Sequence, residues 1–159
     1  MQITILAVGK IKEKYLQAGI AEFCKRLKPY CRLVISEIDE EKLPDNASTA
    51  QKQQALAKEG ERLLKRIPDD EILYLLDLGG KPISSEELAV EMAMRALTGK
   101  SRIIFVIGGA FGLADEIRVR ADERVSFSRL TLTHQMIRLL LVEQIYRAFK
   151  INRGEPYHY

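Results

Sequence analysis

The sequence predicts an α/β domain, a mostly parallel sheet with helices on both faces, and three observations carry that expectation. Residues 2–8, 71–77 and 102–107 form short, nearly continuous apolar runs, the composition of strands covered on both sides. Segments of helical period alternate with these runs, the order that gives parallel sheets. The 159 residues contain no internal repeat or low-complexity stretch, so one domain is expected, long enough to bury about two-thirds of its unfolded surface.

Each element has its own justification. After the first strand, residues 12–28 place Tyr15, Leu16, Ile20, Phe23 and Leu27 at helical spacing, and Pro29 stops the helix. A second strand is expected over 31–38, then an acidic loop broken by Pro44 and Asn46. Ser48 is placed to cap a long polar helix running to about Ile67, before Pro68. The strand at 71–77 is closed by Gly79 and Gly80, and Ser84 or Ser85 caps a helix to about Leu97 with Glu86 and Glu87 in its dipole-favoured first turn. The run RIIFVI (102–107) leads into Gly108, Gly109, Ala110, Phe111 and Gly112; a short helix at 115–121 and a short strand at 124–127 follow. The last helix, 133–151, is apolar around most of its circumference, which calls for two packing partners: its own sheet and a second subunit.

Composition narrows the class. Apolar residues make up 47% and charged residues 30% of the chain, which excludes disordered and fibrous proteins. The apolar start, residues 1–8, is too short for a membrane span or secretory leader, so a cytoplasmic protein is expected. Cys24 and Cys31 stand far from the two histidines, His134 and His158, which points to free thiols and to no metal site. Net charge is only +3, but residues 118–153 hold eight basic side chains against three acidic ones. Such a stretch is either a nucleic-acid surface or a solvated face of salt bridges such as Glu143 with Arg147.

In open α/β sheets a ligand lies beyond the carboxyl ends of the strands, here residues 76–80, 108–112 and 127–132. The GGAFG stretch is not the GxGxxG dinucleotide fingerprint, and glycines after a strand usually serve a turn. The segment SFSRLTLT (126–133) packs four hydroxyl residues and an arginine into one connection, suiting either a polar ligand or the capping of the last helix. His134 reads as a structural hydrogen-bonder, and the ending RGEPYHY reads as a fraying tail or as a tyrosine–histidine pair for an unpaired base.

Taken together, the start ITILAVGKIKEKY, the strand and loop FVIGGAFGL, the stretch SFSRLTLTHQMIRLLLVEQIYRAFKI and the ending GEPYH closely resemble the ribosomal large subunit methyltransferase H family, essentially end to end. That resemblance implies the SPOUT class, whose α/β domain carries a C-terminal trefoil knot, a topology no pattern argument would propose. It further implies S-adenosylmethionine as cofactor, held by Leu76, Gly108 and the run Phe127, Ser128, Arg129, Leu130, Thr131 and Leu132. The reaction it implies is methylation at N3 of pseudouridine 1915 in a single-stranded loop of bacterial 23S ribosomal RNA, by a homodimer acting on assembled ribosomes. His158 is then the expected proton acceptor or base-orienting group, Tyr157 the stacking partner, and Arg138 or Arg153 the phosphate holder. Two rivals remain: a nucleotide-dependent oxidoreductase, which the glycine pattern disfavours, and a noncatalytic RNA-binding or ribosome-associated factor, which leaves the three convergent loops unexplained.

Overall fold

Five strands form one parallel sheet in the order β2-β1-β4-β3-β5: β1 (Gln2–Val8), β2 (Arg32–Ile38), β3 (Ile72–Pro82), β4 (Arg102–Ile107) and β5 (Glu123–Ser126). The computed structural model describes residues 1–157. The helices are α1 (Lys14–Leu27), α2 (Thr49–Leu64), α3 (Ser85–Leu97), α4 (Asp115–Arg120) and α5 (His134–Asn152).

Alternation along the strands explains the two-sided core. Ile3, Ile5 and Ala7 of β1 and Ile103, Phe105 and Ile107 of β4 face α1, α3 and α5, while Leu6, Val8, Ile104 and Val106 face α2 and α4. The apolar runs are therefore continuous because both faces are covered. Among the described residues no helix is long and apolar enough to cross a membrane, and no cluster of three or more metal-ligating side chains occurs.

Local signals set most boundaries. Ser48 and Ser84 each complete a capping box, with Gln51 and Glu87 respectively, and Thr133 caps α5 through the backbone N–H of Met136. One boundary differs from the sequence reading. Gly79 and Gly80 do not end β3: regular pairing with β5 breaks after Leu76 and resumes at Lys81 and Pro82, so residues 77–80 bulge outward. Gly80 crosses so close to β5 that a Cβ there would lie 2.7 Å from backbone atoms of Val125. The glycine is required by this approach, and the bulge brings Asp77 and Leu78 to the carboxyl edge of the sheet.

The last helix also departs from expectation in part. It packs inside its own chain against α1 and α3 as well as the sheet; Leu139, for example, sits 3.0 Å from the point where a Cβ on Gly19 would lie. Much of its apolar circumference is thus satisfied within one subunit. Ile137, Leu139, Leu140, Tyr146 and Phe149 are only half-buried.

Candidate functional site

The carboxyl ends of β3, β4 and β5 enclose a cavity of about 230 Å³. Its lining includes Leu76, Gly108, Phe127, Ser128, Leu130, Thr131 and Leu132, seven of the eight residues expected to hold a cofactor. Arg129, the eighth, points into an adjoining groove beside Leu78, Pro82 and Glu87.

The loop after β4 is shaped by its glycines. Gly112 has φ +91° and its N–H donates to the carbonyl of Gly109 at 3.1 Å. A Cβ on Gly108 would sit 2.5 Å from the Gly112 carbonyl oxygen and 2.7 Å from Cγ of Leu113, so no larger residue fits the turn. The loop after β5 is built differently. Ser126 Oγ donates to the carbonyl of Ser128, the N–H of Leu130 donates to Ser128 Oγ, and Thr133 caps α5. Three of the four hydroxyls in this stretch thus hold the loop itself, and Thr131 remains exposed on the cavity lining.

Two titratable residues line the cavity, Asp77 and His134. Burial raises the Asp77 carboxyl, but hydrogen bonds from Arg124 (2.7 Å) and Arg118 (3.3 Å) outweigh it and hold the pKa below the ordinary value. Burial, with the charges of Arg138 and Lys12, lowers the His134 imidazole against the opposing pull of Glu40, so it is neutral at pH 7. Sequence reasoning missed both as site residues, although Asp77 ends the apolar run of β3 and His134 opens α5 beside the hydroxyl-rich loop.

The remaining walls, among them Ile107, Leu113, Val125 and Ile137, are apolar, and Leu130 stands 74% exposed at the edge. No lysine or arginine lines the cavity among the described residues. An apolar slot with a tight glycine turn along one side suits a flat, neutral heteroaromatic ring such as adenine. The residues present therefore fit S-adenosylmethionine.

The comparisons decide the family. A family model described as "Predicted SPOUT methyltransferase" matches residues 1–158. The chain belongs to the SPOUT methyltransferases. Proteins of this family carry the deep trefoil knot and draw their methyl group from S-adenosylmethionine. The chain is also similar along 99% of its own length and 99% of theirs to proteins named ribosomal RNA large subunit methyltransferase H: 54% identical to that of Carboxydothermus hydrogenoformans, 53% to that of Clostridioides difficile and 52% to that of Listeria monocytogenes.

The other expected site residues lie elsewhere. Arg138 is 1% exposed: its guanidinium donates to Glu37 at 2.6 Å and to the carbonyls of Val8 and Gly9 at 2.9 and 2.7 Å, tying α5 to the ends of β1 and β2. Buried in this way, with Nε alone lacking a partner among the described residues, it supports a structural role in place of the expected phosphate contact. Tyr157 folds back on the C-terminal half of α5, its hydroxyl donating to Glu143 and its ring packed edge-on against Tyr146 under the Arg147 guanidinium. Arg153 lies over the ring of Tyr30, 3.8 Å from Glu155. His158 lies outside the described residues. The basic stretch is largely neutralised as well: Arg118 and Arg124 meet Asp77, Arg120 meets Asp122, Arg147 meets Glu143 and Lys150 meets Glu155. Of its eight cations only Arg129 lacks an ion pair among the described residues.

Proposed function

We propose that this protein methylates N3 of pseudouridine 1915 in 23S ribosomal RNA, acting as a homodimer on assembled ribosomes. The observation that carries the reading is the apolar cavity at the ends of β3, β4 and β5, lined by the residues that the family resemblance selects, in a chain whose full-length relatives are named for ribosomal RNA methylation.

When bound, S-adenosylmethionine supplies an electrophilic methyl group on a sulfonium. The chain's own task is alignment: Leu76, Leu130 and Leu132 would hold the ring, and the glycine turn at 108–112 would let backbone approach it. Transfer of that methyl to N3 would break its carbon–sulfur bond, and the protein's part would be to hold N3 in line and to take up the imide proton. His158 is the proposed acceptor, and Tyr157 the proposed platform for the base.

A distance supports the proposed homodimer. Tyr157 contacts Glu143, nine residues along α5 from His134, and nine residues of helix span roughly 14 Å. Within one subunit Tyr157 and the cavity are therefore apart, so a partner's tail is proposed to complete the site. Half-buried Leu139, Leu140 and Ile137 offer the surface for that pairing.

Nucleoside analysis of ribosomes lacking the modification, after incubation with protein and cofactor, tests the reaction; the expected product is one N3-methylated pseudouridine, and its absence contradicts the reading. Subunit mixing tests the shared site. Gly108→Ala and His158→Ala are each expected to be inactive alone, and mixing them should restore roughly a quarter of the activity, because half the dimers are mixed and each holds one intact site. No recovery would mean that each site is built from one chain.

A further inference from the structure

The segment joining β1 to α1 combines charge, an aromatic ring and a fixed backbone, and nothing in the cofactor site uses it. Residues 10–15 read Lys-Ile-Lys-Glu-Lys-Tyr. Lys10, Lys12 and Lys14 are exposed, and Tyr15 keeps 64% of its surface in water. Lys12 and Lys14 have no ion pair among the described residues, and Lys10 reaches Asp39 only at 4.0 Å with both side chains largely in solvent, 72% exposed for the lysine.

The backbone beneath these side chains is tied down. Arg138 holds the carbonyls of Val8 and Gly9, the Gln17 amide donates to the carbonyl of Ile11 at 2.8 Å, and the N–H of Lys12 donates to Gln135 Oε1 at 2.9 Å. Arg138 and Gln135 belong to α5, whose first residue, His134, lines the cofactor cavity and lies against Gly9. The lysines are therefore set at a fixed place beside the cavity. Within residues 10–15 the three lysines face one acid, Glu13, a surplus of two cations, with Asp39 and Glu40 as the acidic neighbours outside the strip.

We propose that residues 10–15 are an RNA-contacting element at the rim of the cofactor site: Lys10, Lys12 and Lys14 hold phosphates of the single strand flanking the target nucleotide, and Tyr15 stacks on an unpaired base. This rests on the ribosomal RNA reading above. Lysines contribute point charges that fix register without reading sequence, and an exposed ring accepts any base face. A pinned backbone gives such contacts at a smaller ordering cost than a free loop.

The experiment measures methyl transfer to ribosomes lacking the modification, across a range of salt, with S-adenosylmethionine affinity measured in parallel. For the triple variant Lys10→Ala, Lys12→Ala and Lys14→Ala, KM for ribosomes should rise at least ten-fold while cofactor affinity stays unchanged. The slope of log affinity against log salt should fall by roughly 2, since each lost phosphate contact on a single strand removes about 0.7. The triple arginine variant should restore KM, Tyr15→Phe should behave as the unaltered protein, and Tyr15→Ala should raise KM several-fold. An unchanged KM and salt slope would overturn the proposal, as would a parallel loss of cofactor affinity, which would make the strip structural. If the unaltered protein transfers no methyl to ribosomes, the functional reading fails and the strip falls with it.

Discussion

Glu59 shows how a single residue couples the edge of the site to pH. It is 7% exposed on α2, accepts the N–H of Glu41 at 2.8 Å and lies behind Gly109 of the glycine turn. Burial, reinforced by Glu40, pushes its carboxyl up to about 7. The folded state thus holds a proton that the unfolded chain releases near pH 4.5, and stability falls as pH rises from there through about 7. Glu59→Gln keeps the acceptor and removes the charge. Its free energy of unfolding is expected to lie close to that of the unaltered protein at pH 5 and to exceed it at pH 8, by on the order of 2–3 kcal/mol. Parallel curves for the two proteins would contradict this. At Gly108, adding one methyl group forces the turn apart, so Gly108→Ala is expected to weaken cofactor binding at least ten-fold in calorimetry and to cost about 1–3 kcal/mol of stability. Unimpaired binding would mean that the turn yields cheaply. Residues of this kind are half-legible in sequence: a glycine after a strand announces a turn, but which atoms it must approach is a tertiary fact.

At the level of elements, periodicity and capping signals went far. The strands, the helices and the two serine caps are where the pattern places them, because each rests on contacts within a few residues or on alternation across a covered sheet. What the pattern missed depends on distant partners. The bulge at 77–80 exists because β3 must pass β5 and then pair with it again, and the partners of Arg138 come from β1 and β2, more than a hundred residues away. Read along the chain, Arg138 is one cation in a basic stretch; folded, it is a buried tie between three elements. Arg138→Met is therefore expected to destabilise the protein by about 3–5 kcal/mol in denaturant unfolding, since it leaves Glu37 and two carbonyls without their donor. A stable variant with weakened ribosome binding would instead return Arg138 to the phosphate role.

For the whole molecule, the sheet order β2-β1-β4-β3-β5 gathers three strand ends around one cavity, and seven of the eight expected cofactor residues meet there. The strand-end rule finds those loops without any family knowledge, whereas the knot comes only with the family, because threading leaves no mark on hydrophobic period. The separation of Tyr157 from the cavity likewise appears only in three dimensions, and it is the reason that the proposed function includes a second copy of the chain. The central claim is that this assembly recognises an isomerised base and methylates it. Labelled methyl transfer from S-adenosylmethionine should therefore be compared between ribosomes bearing the unmethylated pseudouridine and ribosomes whose target uridine was never isomerised. Strong transfer to the first and little to the second is the predicted result; equal transfer to both, or transfer to neither despite cofactor binding, would contradict it.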